Sequence, residues 1–133
     1  MSTASTLLAI AAGGSVGALA RYGSVTLVQQ WTAQHSLWHG LPLGTWLVNV
    51  SGSLLIGVLY VLVSEKLLLA DSWRPLLMIG FLGAFTTFSS FSLETLQLIE
   101  RGLVLQALLY TVASVVFCLL AGWLGMALTR TLA

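Results

Sequence analysis

The stretch GFLGAFTTFSSFSLE, residues 80–94, decides the fold. It lies inside an apolar run, yet it carries two glycines and five hydroxyl residues. Glycine weakens helical order, and Ser and Thr side chains compete with the helix for backbone hydrogen bonds. The pattern therefore predicts a membrane helix that is broken near its middle. Because irregular backbone at that depth is tolerated only where it is buried in protein or lines a cavity, the break is also a candidate functional site.

Four apolar segments, one of which contains this stretch, are long enough to cross the hydrocarbon as helices, which takes about 20 residues. They cover residues 6–28, 44–63, 75–98 and 103–128. Their apolar runs are continuous rather than alternating, which excludes the strands of a membrane barrel. We predict an all-α membrane protein with four transmembrane helices and a break in the third, in which residues 1–133 form a single transmembrane domain.

The composition excludes several classes of protein. Hydrophobic residues make up 58% of the chain and charged residues 7%, which leaves too few polar side chains to cover a soluble domain. A net charge of +1 leaves no basic face for nucleic acid. The single cysteine, Cys118, excludes an intramolecular disulfide and a cysteine-based zinc site.

No catalytic constellation is apparent, so we predict that the chain is not an enzyme. His35 and His39 are four residues apart in the first loop, but Ser36 removes the metalloprotease pattern and a solvated loop is favoured over a metal site. Glu94 and Glu100 are expected near a helix end, without an obvious partner. The first apolar run has no Lys or Arg before Arg21, so a retained span is favoured over a signal peptide.

An even number of spans places both termini on one side of the membrane, together with the loop at 64–74. The basic residues of that side number three, and those of the other side two: Lys66, Arg74 and Arg130 against Arg21 and Arg101. Orientation follows this bias, which is nearly nil, so we expect insertion in both directions. A four-helix chain has little interior for a pore, which favours an oligomer, with antiparallel subunits as one arrangement.

Several polar or aromatic side chains lie within the apolar runs. Asn49 is deep in the second span, where its amide either bonds a neighbouring helix or binds a ligand. Phe88 and Phe91 share a helical face, either as core packing or with their positive ring edges toward an anion. Tyr110 and Ser114 are four apart, followed after four more by the cysteine, and either line a polar track or bond their own helix.

Two features of the first span complete the set. Gly13, Gly14 and Gly17 form a small-residue patch of the kind on which membrane helices approach closely. Arg21 either extends to the interface or faces a water-filled vestibule, where it would raise the local concentration of anions.

These residues resemble the CrcB/Fluc fluoride channels of bacterial membranes, and the resemblance covers essentially the whole chain. It rests on GG at 13–14, RY at 21–22, GT at 44–45 with Asn49, and the block GFLG followed by TTFSSFS and Glu94. The resemblance implies a dual-topology homodimer of antiparallel four-helix subunits in the bacterial inner membrane. It also implies passive fluoride export that relieves toxicity, through two pathways, with a sodium ion at the central break.

The resemblance further implies roles for individual residues. Asn49 and the rings of Phe88 and Phe91 would coordinate fluoride, and Tyr110 and Ser114 would continue the polar track. The carbonyls of Gly83 and Thr86 would bind sodium. Thr87 and Ser90 are expected to add hydroxyl donors to the fluoride pathway, and Arg21 a positive charge. This set suits fluoride, which loses its water only where several donors replace it, and weak multiple sites suit conduction.

Two other functions remain as alternatives. A dual-topology, proton-coupled exporter of small molecules, similar to the small multidrug transporters, would need a membrane-embedded carboxylate. The first span has none, so Glu94 would have to take that place. A non-transporting assembly subunit would show no flux as purified protein.

Overall fold

The computed structural model describes residues 2–34 and 40–133, and in these ranges the chain is helical without any β-strand. His35 and His39, the loop pair considered above, lie outside the described residues. The helices, in chain order, are α1 (Thr3–Ala33), α2 (Leu43–Tyr60), α3 (Gly83–Phe85), α4 (Phe88–Glu100) and α5 (Val104–Leu132). π-Helical segments extend α2 over Val61–Glu65 and precede α3 over Pro75–Leu82, and a 3₁₀ turn covers Asp71–Trp73.

These elements confirm the four predicted spans. The segments long and apolar enough to cross a membrane are Thr3–Ala33, Leu43–Glu65, Asp71–Glu100 and Val104–Leu132. In an apolar stretch of 18 residues within each span, the fraction of residues buried inside the subunit ranges from 11% in the first span to 28% in the second and third. Most of each helix therefore faces outward, as expected of helices surrounded by lipid or by another copy of the chain.

The predicted break in the third span is present. Thr86 and Thr87 both adopt extended backbone angles, with φ/ψ of −84°/158° and −153°/116°, and they separate α3 from α4. The Oγ1 of Thr87 accepts a hydrogen bond from the backbone N–H of Ser90 at 3.2 Å, and it thereby caps the start of α4. The chain thus stops one helix and starts another within two residues.

The glycine patch of α1 packs against the first half of the third span. A Cβ on Gly13 would collide with the carbonyl of Leu76, and one on Gly17 with the carbonyl of Phe81. The prediction of a close-packing surface is confirmed for these two positions. The same device joins α2 to α5, where a Cβ on Gly57 would meet the carbonyl of Gly122. Small residues therefore allow close backbone approach at two crossings, one between α1 and the broken span and one between α2 and α5.

Two small apolar clusters form the core. One contains Val48, Leu82 and Phe85, at the height of the break. The other combines Phe91 and Leu98 of α4 with Ala107 and Tyr110 of α5. The break therefore lies between two packed clusters, and its flanking residues are fixed on both sides.

Candidate functional site

The side-chain amide of Asn49 bridges the break. Its Nδ2 donates to the carbonyl of Thr87 at 3.0 Å, and its Oδ1 accepts from the backbone N–H of Thr87 at 2.8 Å. The interhelical hydrogen bond considered for Asn49 is therefore present. A carboxamide carries two N–H donors, so one donor of Asn49 remains after the bond to Thr87.

A cavity of about 340 Å³ lies beside this pair. Its wall combines the break with facing parts of α2 and α5. The lining includes seven of the residues selected from the sequence, namely Asn49, Gly83, Thr86, Thr87, Phe88, Phe91 and Ser114. The fold thus gathers into one cavity an amide, hydroxyls and aromatic rings that are up to 65 positions apart in the chain.

The two phenylalanines differ in environment although they share a helical face. Phe91 is 8% exposed, and its ring centre lies 5.3 Å from that of Tyr110. Phe88 is 77% exposed, and its ring centre lies 5.3 Å from that of Phe91. Phe91 therefore has a packing role within the subunit, whereas most of the ring of Phe88 is left for lipid, solvent or a partner.

The polar side chains on one face of α5 lie in two different environments. Ser114 lines the cavity, is 6% exposed, and its Oγ has no hydrogen-bond partner among the described residues. Cys118 lines the same cavity one turn further on. Tyr110 does not, because its hydroxyl donates to Glu94 Oε2 at 2.9 Å. Ser114 is thus a buried donor that is available to a ligand in the cavity.

The expectation that Glu94 has no partner is wrong. Thr45 donates from its Oγ1 to Glu94 Oε1 at 2.6 Å, and Tyr110 donates to the other oxygen. The carboxylate lies within α4, half-buried, and it joins the start of α2 to α5. The sequence spacing could have indicated this position. Glu94 follows Phe91 by three residues and Thr87 by seven, which places it on the same face of α4 as these site residues.

Arg21 and Ser90 lie in a second cavity, of about 290 Å³. Thr45, Glu94 and Thr87 also line it. This position favours the vestibule interpretation of Arg21 over extension to the interface. Thr87 lines both cavities, so the predicted pathway residues form two adjoining groups that meet at the break.

The break also frees two carbonyls. In a continuous helix the N–H of Thr87 would bond the carbonyl of Gly83, and the N–H of Ser90 that of Thr86. Here Thr87 N–H donates to Asn49, and Ser90 N–H donates to the hydroxyl of Thr87. The donor set is therefore compatible with a hard monovalent cation, which prefers neutral oxygen ligands.

Comparison with known proteins identifies the family. The sequence profile described as "CrcB-like protein, Camphor Resistance (CrcB)" matches residues 8–126. A protein of Methylococcus capsulatus named "Fluoride-specific ion channel FluC" is 48% identical over 127 residues. The match covers 96% of this chain, and the chain spans about half the length of that relative, 54%.

Two further relatives carry the same name, "Fluoride-specific ion channel FluC". The protein of Magnetococcus marinus is 43% identical over 91% of this chain and 94% of its own length. The protein of Saccharophagus degradans is 48% identical over 94% of this chain and 90% of its own length. Since the profile covers nearly the whole chain and the last two relatives align over at least 90% of their own length, the chain belongs to the CrcB-like family of multi-pass bacterial membrane proteins.

Proposed function

We propose that this protein is a fluoride-selective ion channel through which fluoride leaves the bacterial cell passively. One observation carries the proposal. The break in the third span opens onto a cavity in which a buried hydroxyl, the Oγ of Ser114, has no partner among the described residues, and Asn49, whose amide keeps one donor, lines the same cavity. Relatives named as fluoride-specific channels support the choice of ion.

The chemistry of the cavity suits a small anion that must lose its water. Hydroxyl and amide donors compensate for lost hydration, and the edges of aromatic rings carry partial positive charge. The described residues that line this cavity include no Lys or Arg, which would hold the ion too tightly to conduct it. A neutral lining therefore favours conduction over tight binding.

We infer further that the functional unit is an antiparallel dimer of identical subunits with dual topology. The cavity is not enclosed by the subunit itself, and Phe88, which lines it, is largely exposed. A second copy would cover this ring and complete the wall. A sodium ion held by the carbonyls of Gly83 and Thr86, from both copies, would satisfy the oxygens that the break frees.

Ion efflux from liposomes tests the function. Purified protein is reconstituted in liposomes that contain potassium salts of fluoride and chloride, and efflux is started with valinomycin, with protein-free liposomes as the control. We expect rapid fluoride loss that depends on valinomycin, while chloride stays inside. Chloride loss at the same rate, or fluoride loss that requires a proton gradient, would contradict the channel and favour the exporter.

A further inference from the structure

A third cavity extends the two already described toward the end of α4. It has a volume of about 340 Å³ and lies between the end of α1, the start of α2 and the second half of α4. Glu94 and Gln97 of α4 line it together with Arg101, the residue that follows α4, at spacings of three and four residues, which continue one helical face. Gln29 of α1 and Pro42 lie opposite.

The three cavities are arranged in series. Glu94 and Gln29 line both the third cavity and the one that contains Arg21. Thr87 lines the latter and also the cavity at the break. The shared wall residues define a candidate route along α4, from Arg101 past Glu94 and Arg21 to Thr87, over about three to four helical turns.

The charges along this route follow a definite order. Glu94 is the single carboxylate among the described residues that line the three cavities. It is flanked by Arg101 on the outer side and by Arg21 on the inner side. In its ionised form a carboxylate on an anion route repels the ion, and the two hydroxyl donors favour that form. The arginines are therefore needed to offset it.

We propose that Arg101 lies at the entrance of the fluoride route and attracts the anion there. It acts as a positioning residue, because it raises the anion concentration at the outer cavity and offsets the repulsion from Glu94 without binding the ion tightly. Its guanidinium is exposed and lies seven residues from Glu94, so salt screens its field. This inference rests on the proposed fluoride channel and adds a second arginine to it.

Arg101→Gln tests the proposal, with Arg74→Gln as the matched control. Arg74 is also exposed, and it lies at the start of the third span without lining any of the three cavities. Fluoride efflux is measured from liposomes at ionic strengths of roughly 10 mM and 500 mM, set with an impermeant salt, since the Debye length falls from about 30 Å to a few ångströms over this range. Each variant is first shown to elute as the unmodified protein does.

We expect Arg101→Gln to slow efflux several-fold at low salt and by less than twofold at high salt, and Arg101→Lys to retain most of the rate. Arg74→Gln should give the efflux rate of the unmodified protein at both ionic strengths.

Equal salt dependence of efflux in the two Gln variants would overturn the role of Arg101. So would a loss of efflux rate in Arg101→Gln that is the same at both ionic strengths and is not restored in Arg101→Lys. If Arg101→Gln does not fold, the test uses the salt dependence of efflux in Arg101→Lys and in the unmodified protein. An efflux rate that does not change with salt in either of these two proteins would overturn the proposal. Absence of fluoride flux from the unmodified protein would instead overturn the proposed function itself.

Discussion

Asn49 and Thr87 are joined by two hydrogen bonds, one in each direction between a side-chain amide and a single backbone residue. One side chain on α2 therefore satisfies both main-chain groups of the residue at which the third span is broken. Without it, a donor and an acceptor would lie unpaired inside the membrane, where water is scarce. Asn49 thus stabilises the backbone at the break and also lines the cavity.

Asn49→Ala should therefore impair folding as well as flux. We expect the free energy of unfolding to fall by about 2–6 kcal/mol, because each of the two groups left unpaired costs about 1–3 kcal/mol. The mole fraction of SDS at which half of the protein is unfolded measures this loss of stability. Ser51→Ala is the control, since the Oγ of Ser51 bonds carbonyls of its own helix, those of Leu47 at 2.7 Å and Val48 at 3.3 Å. Equal stability of the two variants would show that the break does not depend on the amide.

Phe88→Ile and Phe91→Ile should separate transport from packing. Ile keeps much of the apolar bulk and removes the ring edge, so both variants should lose at least tenfold in fluoride flux if the rings face the ion. Only Phe91→Ile should lower stability, by about 1 kcal/mol, because Phe91 is buried and contacts the ring of Tyr110. Phe117→Ile removes a ring that contacts Trp46 outside the cavity, and serves as the control. Normal flux in both cavity variants would remove the rings from the mechanism.

Gly17→Ala should destabilise the subunit by about 1–3 kcal/mol, because the added methyl group meets the carbonyl of Phe81 and overpacks the crossing. Gly23→Ala in the same helix meets no atom within 4 Å and should be neutral or slightly stabilising. Thermal stability in detergent, followed by the loss of the elution peak, compares the two. The packing explanation fails if the Gly17 variant is as stable as the Gly23 variant.

The sodium proposal predicts an unusual result for Gly83→Ala. Gly83 has helical angles, φ −60° and ψ −33°, and a Cβ there would make only ordinary contact, 3.9 Å from the carbonyl of Met78. The subunit should therefore fold normally, whereas sodium binding and dimer stability should fall, because the methyl group would lie where two breaks converge. Density for a heavier monovalent cation such as thallium would locate the ion. Flux that survives prolonged sodium removal undiminished, with no such density, would refute the site.

Dual topology predicts labelling from both sides of the membrane. Ser72→Cys places a thiol in the exposed 3₁₀ turn of the second loop, and Cys118→Ser removes the natural one. An impermeant maleimide should label about half of the molecules from either side, because the Lys and Arg bias is nearly nil. Labelling from one side alone would show a single orientation. Two or three added arginines in this loop should then shift the ratio of the two membrane orientations.

The spans and the break could be predicted because each depends on local sequence. Lipid requires about 20 apolar residues whatever the neighbours are, and hydroxyl residues after glycine weaken a helix wherever it packs. The positions of Thr86 and Thr87 within the break agree with this expectation. Likewise, the spacing of Ser114 from Cys118 correctly predicts a common face.

Contacts between helices could not be predicted in the same way. Periodicity shows which residues share a face, but not which face meets another helix. Thr45 and Glu94 are 49 positions apart, and their hydrogen bond depends on how α2 and α4 cross. Tyr110 shares the face of Ser114, yet its longer side chain reaches the carboxylate instead of the cavity. Short π-helical segments such as Val61–Glu65 leave no periodic signal in five residues.

The break also gives the membrane interior a helix start that a continuous span would lack. α4 begins at Phe88, at the wall of the cavity, and its 13 residues align their peptide dipoles along one axis. Such alignment is equivalent to roughly half a positive elementary charge at the first turn. A main-chain dipole has no proton to lose, so the attraction that it exerts on an anion is the same in acid and in alkaline medium, and no single side-chain replacement in α4 abolishes it.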